Sequence, residues 1–242
     1  MTESKIVLVT GASSGIGAAV ATRLAAAGHH VVAGARRTDR LTDLAHSVEG
    51  TGGSIETRRL DVTDPADVTA FVDATVTAHG RVDVIVNNAG VMPLSRLDAL
   101  LVEQWNWMID VNVRGLLHGI AATLPHFQRQ GAGHVITVAS VGAHEVVPTS
   151  AVYSATKHAA WAITEGLRLE SDPSIRVTTV SPGVVESELA QTITDPTASA
   201  AMRDYRAAAI SPDAIAAAVA FAIAQPADVD VNELIIRPAR QR

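Results

Sequence analysis

Residues 5–28 read KIVLVTGASSGIGAAVATRLAAAG. The opening run, 5–10, is continuous and rich in β-branched residues, as a strand buried on both faces must be. Gly11, Gly15 and Gly17 then break it into a turn, and Ile16, Val20, Leu24 and Ala27 follow as an apolar stripe at helical spacing. Glycine takes backbone angles closed to other residues and lets a ligand approach the chain itself. The helix opening near residue 15 aims unpaired N–H groups and the positive end of its dipole at that turn. Strand, glycine turn and helix in this order make a βα unit with a place for phosphate groups. For the glycines alone, a tight structural turn is the plain alternative.

The alternation continues along the chain. Apolar runs at 30–34, 54–60, 82–86, 134–139, 176–180 and 234–236 are separated by helix-like stretches near 38–48, 65–79, 98–129, 152–170 and 212–224. Such alternation predicts an α/β fold, a doubly wound parallel sheet with helices on both faces and right-handed crossovers. Asp64-Pro65 and Ser211-Pro212 each read as a cap residue followed by proline at the first helical position. No linker interrupts the pattern, so residues 1–242 are expected to form one domain. The stretch 183–209 lacks clear periodicity and is long for a connection. Residues 184–209 are expected to be a lid over a site at the carboxyl ends of the strands.

Composition narrows the function classes. A chain of 242 residues with 48% hydrophobic types can bury one large core. There is no cysteine, which excludes disulfides and thiolate metal sites, and no metal is expected. The formal charge of −6, with both signs interspersed, offers no electrostatic footprint for nucleic acid. The Ala-rich stretch AAAISPDAIAAAVAFAIA is interrupted by Pro212 and Asp213 and is not expected to span a membrane. MTESK leads directly into the first strand without a basic-plus-apolar signal segment, so a cytoplasmic protein is expected.

Further candidates for a nucleotide site lie at strand ends. The second run ends in Ala35-Arg36-Arg37, where a carboxylate would otherwise grip a ribose diol. Ala35 has none, and Arg36 offers a fork of donors suited to a 2′-phosphate; a solvated arginine pair is the plain alternative. Asp61 follows the third run and could accept the adenine amino group or serve as a turn cap. Asn87-Asn88-Ala89-Gly90 ends the fourth run with small residues and amides able to shape a crevice.

The chemistry-bearing residues lie further on. Tyr153 and Lys157 are four apart in SAVYSATKHAAWAITEGLRLE, which puts a phenol and an ammonium on one helix face. The positive charge favours the phenolate and eases proton transfer near neutral pH. Ser140 ends the run HVITVAS and could hydrogen-bond a carbonyl or alcohol oxygen. Asn112, within the expected long helix, needs a partner for its amide, for instance a water leading to the lysine.

In this combination the chain resembles the classical short-chain dehydrogenase/reductases. The resemblance rests on TGASSGIG at 10–17, Asp61-Val62, NNAG at 87–90, Asn112, Ser140, Tyr153 with Lys157, and Pro182-Gly183. It implies a Rossmann-type seven-stranded sheet of order 3-2-1-4-5-6-7 and an oxidoreductase interconverting a carbonyl and an alcohol. Tyr153 is implied as acid/base, Ser140 as orienter of the reacting oxygen, Lys157 as ribose binder and pKa tuner, and Asn112 as anchor of a relay water. The implied cofactor site comprises Gly11, Ser13, Ser14, Gly15, Ile16, Gly17, Ala35, Arg36, Arg37, Asp61, Val62, Asn88, Ala89, Gly90, Tyr153, Lys157, Pro182, Gly183, Val185 and Ser187. Ser187 stands where the family usually has threonine. Ser14 stands where NADP-preferring members often carry a basic residue, so a preference for NADP(H) would rest mainly on Arg36, helped by Arg37 and Ser13.

The expected substrate pocket is Val91, Met92, Ser140, Val141, Gly142, Val147, Tyr153 and Val184, with His144, Glu145 and Glu186 adding polarity. The tail VNELIIRPARQR resembles a bacterial subgroup related to clavulanate-aldehyde reductase and small hydroxy-acid dehydrogenases. A small-molecule partner and a homotetramer are implied, a dimer being the alternative; Trp105, Trp107 and Trp161 lie on broad helical faces that could serve as contact surface, internal packing of these tryptophans being the plain alternative. Rival readings are an epimerase or dehydratase on the same fold, or a non-catalytic nucleotide-binding module.

Overall fold

The computed structural model describes residues 4–241; Met1, Thr2 and Glu3 of MTESK, and Arg242, lie outside the described residues. One parallel sheet runs in the order β3-β2-β1-β4-β5-β6-β7. Its strands are β1 (Ile6–Thr10), β2 (His30–Ala35), β3 (Ser54–Arg59), β4 (Val84–Asn87), β5 (Gly133–Val138), β6 (Ile175–Pro182) and β7 (Glu233–Ile236). The helices are α1 (Gly15–Ala26), α2 (Thr38–Glu49), α3 (Pro65–His79), α4 (Val102–Ile109), α5 (Gly115–Gln130), α6 (Ala151–Glu170), α7 (Pro196–Tyr205) and α8 (Pro212–Ile223).

Central strands are continuous apolar runs because both their faces are covered. In β1, Val7 and Val9 face α1, α2 and α8, while Leu8 faces the layer of α3, α5 and α6. The register pairs Val9 with Ala33 of β2 and with Val86 of β4. Strand β6 is buried at every position, whereas the edge strand β7 is partly exposed. Capping agrees with the sequence signals. Asp64 accepts from the Ala66 and Asp67 amides ahead of α3, and Ser211 accepts from the Asp213 amide ahead of α8. The carboxyl end of α8 is met by the buried Arg176, whose guanidinium donates to the Ala222, Ile223 and Val229 carbonyls. Among the described residues no helix is long and apolar enough to cross a membrane.

Two expectations are corrected. The single helix over 98–129 is instead a short 3₁₀ turn, α4, a π-helical turn at Asp110–Arg114, and α5. Leu100 is left-handed (φ 52°), which prevents the first turn from running into α4. The π turn adds a residue to the coil and carries Asn112 into the interior. The aperiodic stretch after Gly183 contains two 3₁₀ turns and α7. Its base is closed where Val185 pairs with Ile210.

Phe127 of α5 is fully buried and occupies the space a Cβ on Gly133 would need. The Phe127→Ala substitution is expected to cost about 3–5 kcal/mol of unfolding stability. Urea denaturation at fixed protein concentration checks it; a change within experimental error would place the core elsewhere.

Candidate active site

The chain leaves β1 toward β2 and β3, then returns to β4 on the other side of β1, so the sheet has a crevice at the carboxyl ends of β1 and β4. A cleft of about 800 Å³ opens there. Gly11 and Gly15 hold the glycine turn at φ 67° and 54°, angles that L side chains rarely adopt. Gly17 is needed for a different reason. A Cβ on it would strike the Gly11 carbonyl and the Asn88 amide, so it faces the inside of the turn and not the cleft. Ser14 stands at the N-cap of α1 but its hydroxyl does not cap the helix, and the first turn carries no acidic residue. The amino end of α1 therefore keeps its donors for an anion.

The far end of the cleft is lined by Ala35, Arg36, Arg37, Asp61 and Val62. Among the described residues Arg36 has no hydrogen-bond or ion-pair partner. Arg37 differs. Its guanidinium donates to the hydroxyls of Ser13 (3.1 Å) and Ser14 (2.8 Å), and to Glu188 (2.7 Å). Asp61 accepts from the backbone and hydroxyl of Thr63. Burial opposes its ionisation, but those bonds and the charges of Arg36 and Arg59 hold its carboxyl below the ordinary value.

At the other end Ser140, Tyr153 and Lys157 line one wall. Ser140 accepts from the Gly142 amide (3.0 Å). The Lys157 Nζ donates to the Val138 carbonyl (3.0 Å) and lies 5.9 Å from the centre of the Tyr153 ring. Burial pushes the Tyr153 phenol up, against the pull of the Ser140 hydroxyl, and lowers Lys157 to about 8. The expectation that lysine charge lowers the tyrosine pKa is thus not met in the protein alone, because desolvation of the phenolate dominates. Asn112 stands behind the wall and does not line the cleft. Its amide donates to the Val91 carbonyl and Thr156, and accepts from the Val91 amide, so its partners are protein groups.

Of the expected pocket, Val91, Met92, Val141, Gly142, Val147 and Val184 line the cleft, as does Glu145. His144 turns away to pair with Glu233 (2.8 Å), and Glu186 is not part of the lining. Pro182, Gly183, Val185 and Ser187 line it near the glycine turn, with Asn88, Ala89, Gly90 and Ile16. Thr149, also in the lining, has φ 72°, a strained angle for a β-branched residue.

Residues 5–198 match the short chain dehydrogenase family. The chain belongs to the short-chain dehydrogenase/reductase family. An uncharacterized oxidoreductase of Staphylococcus saprophyticus is 45% identical over 242 residues, covering 99% of this chain and 98% of that protein. One from Listeria monocytogenes is 42% identical over 243 residues, with the same coverage. Among solved structures, an alcohol dehydrogenase of the archaeon Thermococcus sibiricus, complexed with 5-hydroxy-NADP, superposes with a TM-score of 0.89 at 33% identity, covering 99% of each chain. A Burkholderia phymatum family member in complex with NAD superposes with a TM-score of 0.87 at 26% identity, covering 96% of this chain and 89% of that one. The chain is thus an oxidoreductase of this family, whose neighbours hold NAD or NADP.

Several lining residues of this dehydrogenase/reductase were not singled out from the sequence: Leu94, Glu188, Met202, Tyr205 and Arg206. Of the tryptophans, Trp107 lines the cleft and packs inward with Trp105, the internal alternative, while Trp161 stays exposed and donates to Glu233. Helix α7 had a legible signal in Asp195-Pro196, a cap-plus-proline pair whose aspartate accepts from the Ala198 amide.

Burial of Lys157 has a measurable consequence. The unfolded chain keeps its proton up to the ordinary pKa of 10.5, while the folded chain releases it from about 8. Between those values the unfolded state binds more protons, so this group's contribution to stability rises with pH; below the window the full cost of burying the charge is present. In urea titrations without cofactor, wild type relative to Lys157→Met should be flat below the window and gain about 3 kcal/mol across it. A difference that does not vary with pH would show that Lys157 titrates as an exposed lysine.

Proposed function

We propose that this protein is an NADP(H)-dependent oxidoreductase that interconverts a carbonyl and a primary or secondary alcohol. The observation that carries the proposal is the convergence of Ser140, Tyr153 and Lys157 on a cleft whose opposite end is a phosphate-ready glycine turn. The residues present fit a dinucleotide. The glycine turn and the uncapped amino end of α1 would hold the pyrophosphate. Asp61 and Val62 would flank the adenine, Asn88–Gly90 would line the crevice floor, and Lys157 would donate to the ribose beside the nicotinamide. Pro182, Gly183, Val185 and Ser187 would bind the carboxamide. When bound, the dinucleotide supplies or accepts a hydride.

The chain's own residues handle the oxygen and the proton. Ser140 orients the substrate oxygen, and Tyr153 gives its proton to that oxygen in reduction and takes it back in oxidation. Burial keeps the phenol protonated, which is the form that donates. Lys157 steadies the charge that develops as the proton moves. The substrate end, lined by Leu94, Trp107, Val141 and Met202 with Glu145 at its rim, suits a small carbonyl compound with an apolar body. Residues 184–209 close over it as a lid on the single 1–242 domain. In this reading the protein works in the cytoplasm as a homotetramer, supported by the exposed Trp161, Phe221 and Ile235 as apolar contact surface.

Tyr153→Phe should bind cofactor as wild type does and lose nearly all NADPH-dependent turnover in a screen of aldehydes, keto acids and cyclic ketones. Retained turnover would remove Tyr153 from its role. Epimerase or dehydratase chemistry would show instead as product formation by wild type without net cofactor oxidation.

Arg36, which lines the cleft without a protein partner among the described residues, is assigned the 2′-phosphate. Arg37 is already committed to Ser13, Ser14 and Glu188 and ties the lid to the glycine turn. A charge-assisted contact of about 1–3 kcal/mol gives roughly tenfold to hundredfold preference for NADPH. Arg36→Ala should weaken NADPH by most of that factor and leave NADH unchanged in fluorescence titrations. Equal affinity of wild type for the two cofactors would overturn the assignment.

A further inference from the structure

Away from the cleft, at the amino-terminal edge of the sheet, three side chains meet. His30 is the first residue of β2, Glu56 the third of β3, and His79 the last of α3. His30 pairs with Ser54 in the register and Val32 with Glu56. Residues 30 and 56 therefore project from the same face of the sheet, the one that α3 covers. Both imidazoles turn their Nε2 to the same carboxylate oxygen, Glu56 Oε1, at 3.2 Å (His30) and 2.9 Å (His79). The rings lie 4.4 Å apart, and all three ligand-capable atoms fall within 4.8 Å of one another.

We infer that His30, Glu56 and His79 form a binding site for a borderline divalent transition-metal ion, of which Zn²⁺ is the working example. Two imidazoles and one carboxylate are a donor set suited to Zn²⁺, Ni²⁺ or Cu²⁺ rather than to Mg²⁺ or Ca²⁺. Ligand bonds of about 2.0–2.2 Å in a tetrahedron put ligand atoms roughly 3.3 Å apart, close to the spacing already present. Three further features fit a metal. The His30 Nδ1 is 2.6 Å from the Ser54 hydroxyl, which would orient the ring as outer partners of metal-bound histidines do. Arg58 donates to the other oxygen of Glu56, Oε2 (3.3 Å), leaving Oε1 for the ion. The two imidazoles are 20% and Glu56 35% exposed, so water can reach a fourth position. An ion held there would clasp the end of α3 to the β2–β3 edge at the end of the sheet opposite the cleft, independently of the reductase assignment.

The test uses full-length protein freed of any affinity tag and stripped with EDTA, then titrated with Zn²⁺ by calorimetry. Wild type should take one equivalent per chain with an affinity on the order of micromolar. Co²⁺ should give the visible absorption of a tetrahedral nitrogen–oxygen site. His79→Gln and Glu56→Gln should each weaken binding by at least about tenfold, and Ser54→Ala by less. With Zn²⁺ at about a hundred times its dissociation constant, Tm should rise by about 5–10 °C in wild type and not in His79→Gln. Circular dichroism and NADPH turnover verify that the variants fold. If His79→Gln does not fold, His30→Gln tests the same site from β2. Absence of stoichiometric binding to wild type, or binding that persists unchanged in the glutamine variants, overturns the inference.

Discussion

At the end of β1 the side chain of Asn88 donates to the carbonyls of Thr10 and Gly11, and the Thr10 hydroxyl accepts from the amides of Asn88 and Ala89. Here β1 and β4 stop pairing, and the backbone groups past the last ladder bond would otherwise be buried without partners. The exchange satisfies them and holds the glycine turn against the NNAG segment. The remainder of the site is built on that fixed crevice. Gly90 lies beside Asn112 and Lys157, where a Cβ would already stand in contact with Asn112 Oδ1 at 3.4 Å. Asn112 grips Val91 and Thr156, and Thr156 donates to the Tyr153 carbonyl. A continuous run of contacts and hydrogen bonds thus links the glycine turn to the helix that carries tyrosine and lysine, so both are positioned by one connected path.

Burial sets the electrostatics. The same loss of solvent raises the Tyr153 phenol and lowers Lys157 to about 8, because in both cases the charged form is the one that water would have stabilised. Their shared surroundings thus move the two groups in opposite directions, so that the phenol holds its proton more tightly and the ammonium less tightly than in water. A tyrosine four residues from a lysine on an exposed helix would have neither property.

The segment over the cleft is held differently from the sheet. Ile193 and Ala198 are buried against the α3, α5 and α6 layer, but its edges rest on polar contacts. Arg37 reaches Glu188, Arg206 donates to the Ser187 carbonyl, and Tyr205 meets Gln241 of the tail. The exposed Arg37–Glu188 ion pair contributes little stability by itself.

The strands, most helices and the βα order were legible in residues alone because they obey local rules: continuous β-branched runs, helical periodicity, and caps such as Asp64-Pro65. Tyr153, Lys157, Ser140 and the glycines each read singly as ordinary structural residues; they could be picked out because they occur together in order along a βα chain, and the family resemblance supplied the strand order that local rules do not. What sequence could not show was set by packing between distant segments. Periodicity runs unbroken through 98–129, yet Leu100 and the π turn divide that stretch, since Asn112 must turn inward to meet Val91. Trp107 could face outward or inward on its helix, and only the packed layer decides for the cleft. Glu188 meets Arg37 from 151 residues away, and His30, Glu56 and His79 converge from two strands and a helix end. Local chemistry determined which elements form; their assembly decided which side chains meet, because those contacts exist only once the sheet and its helices have closed on one another.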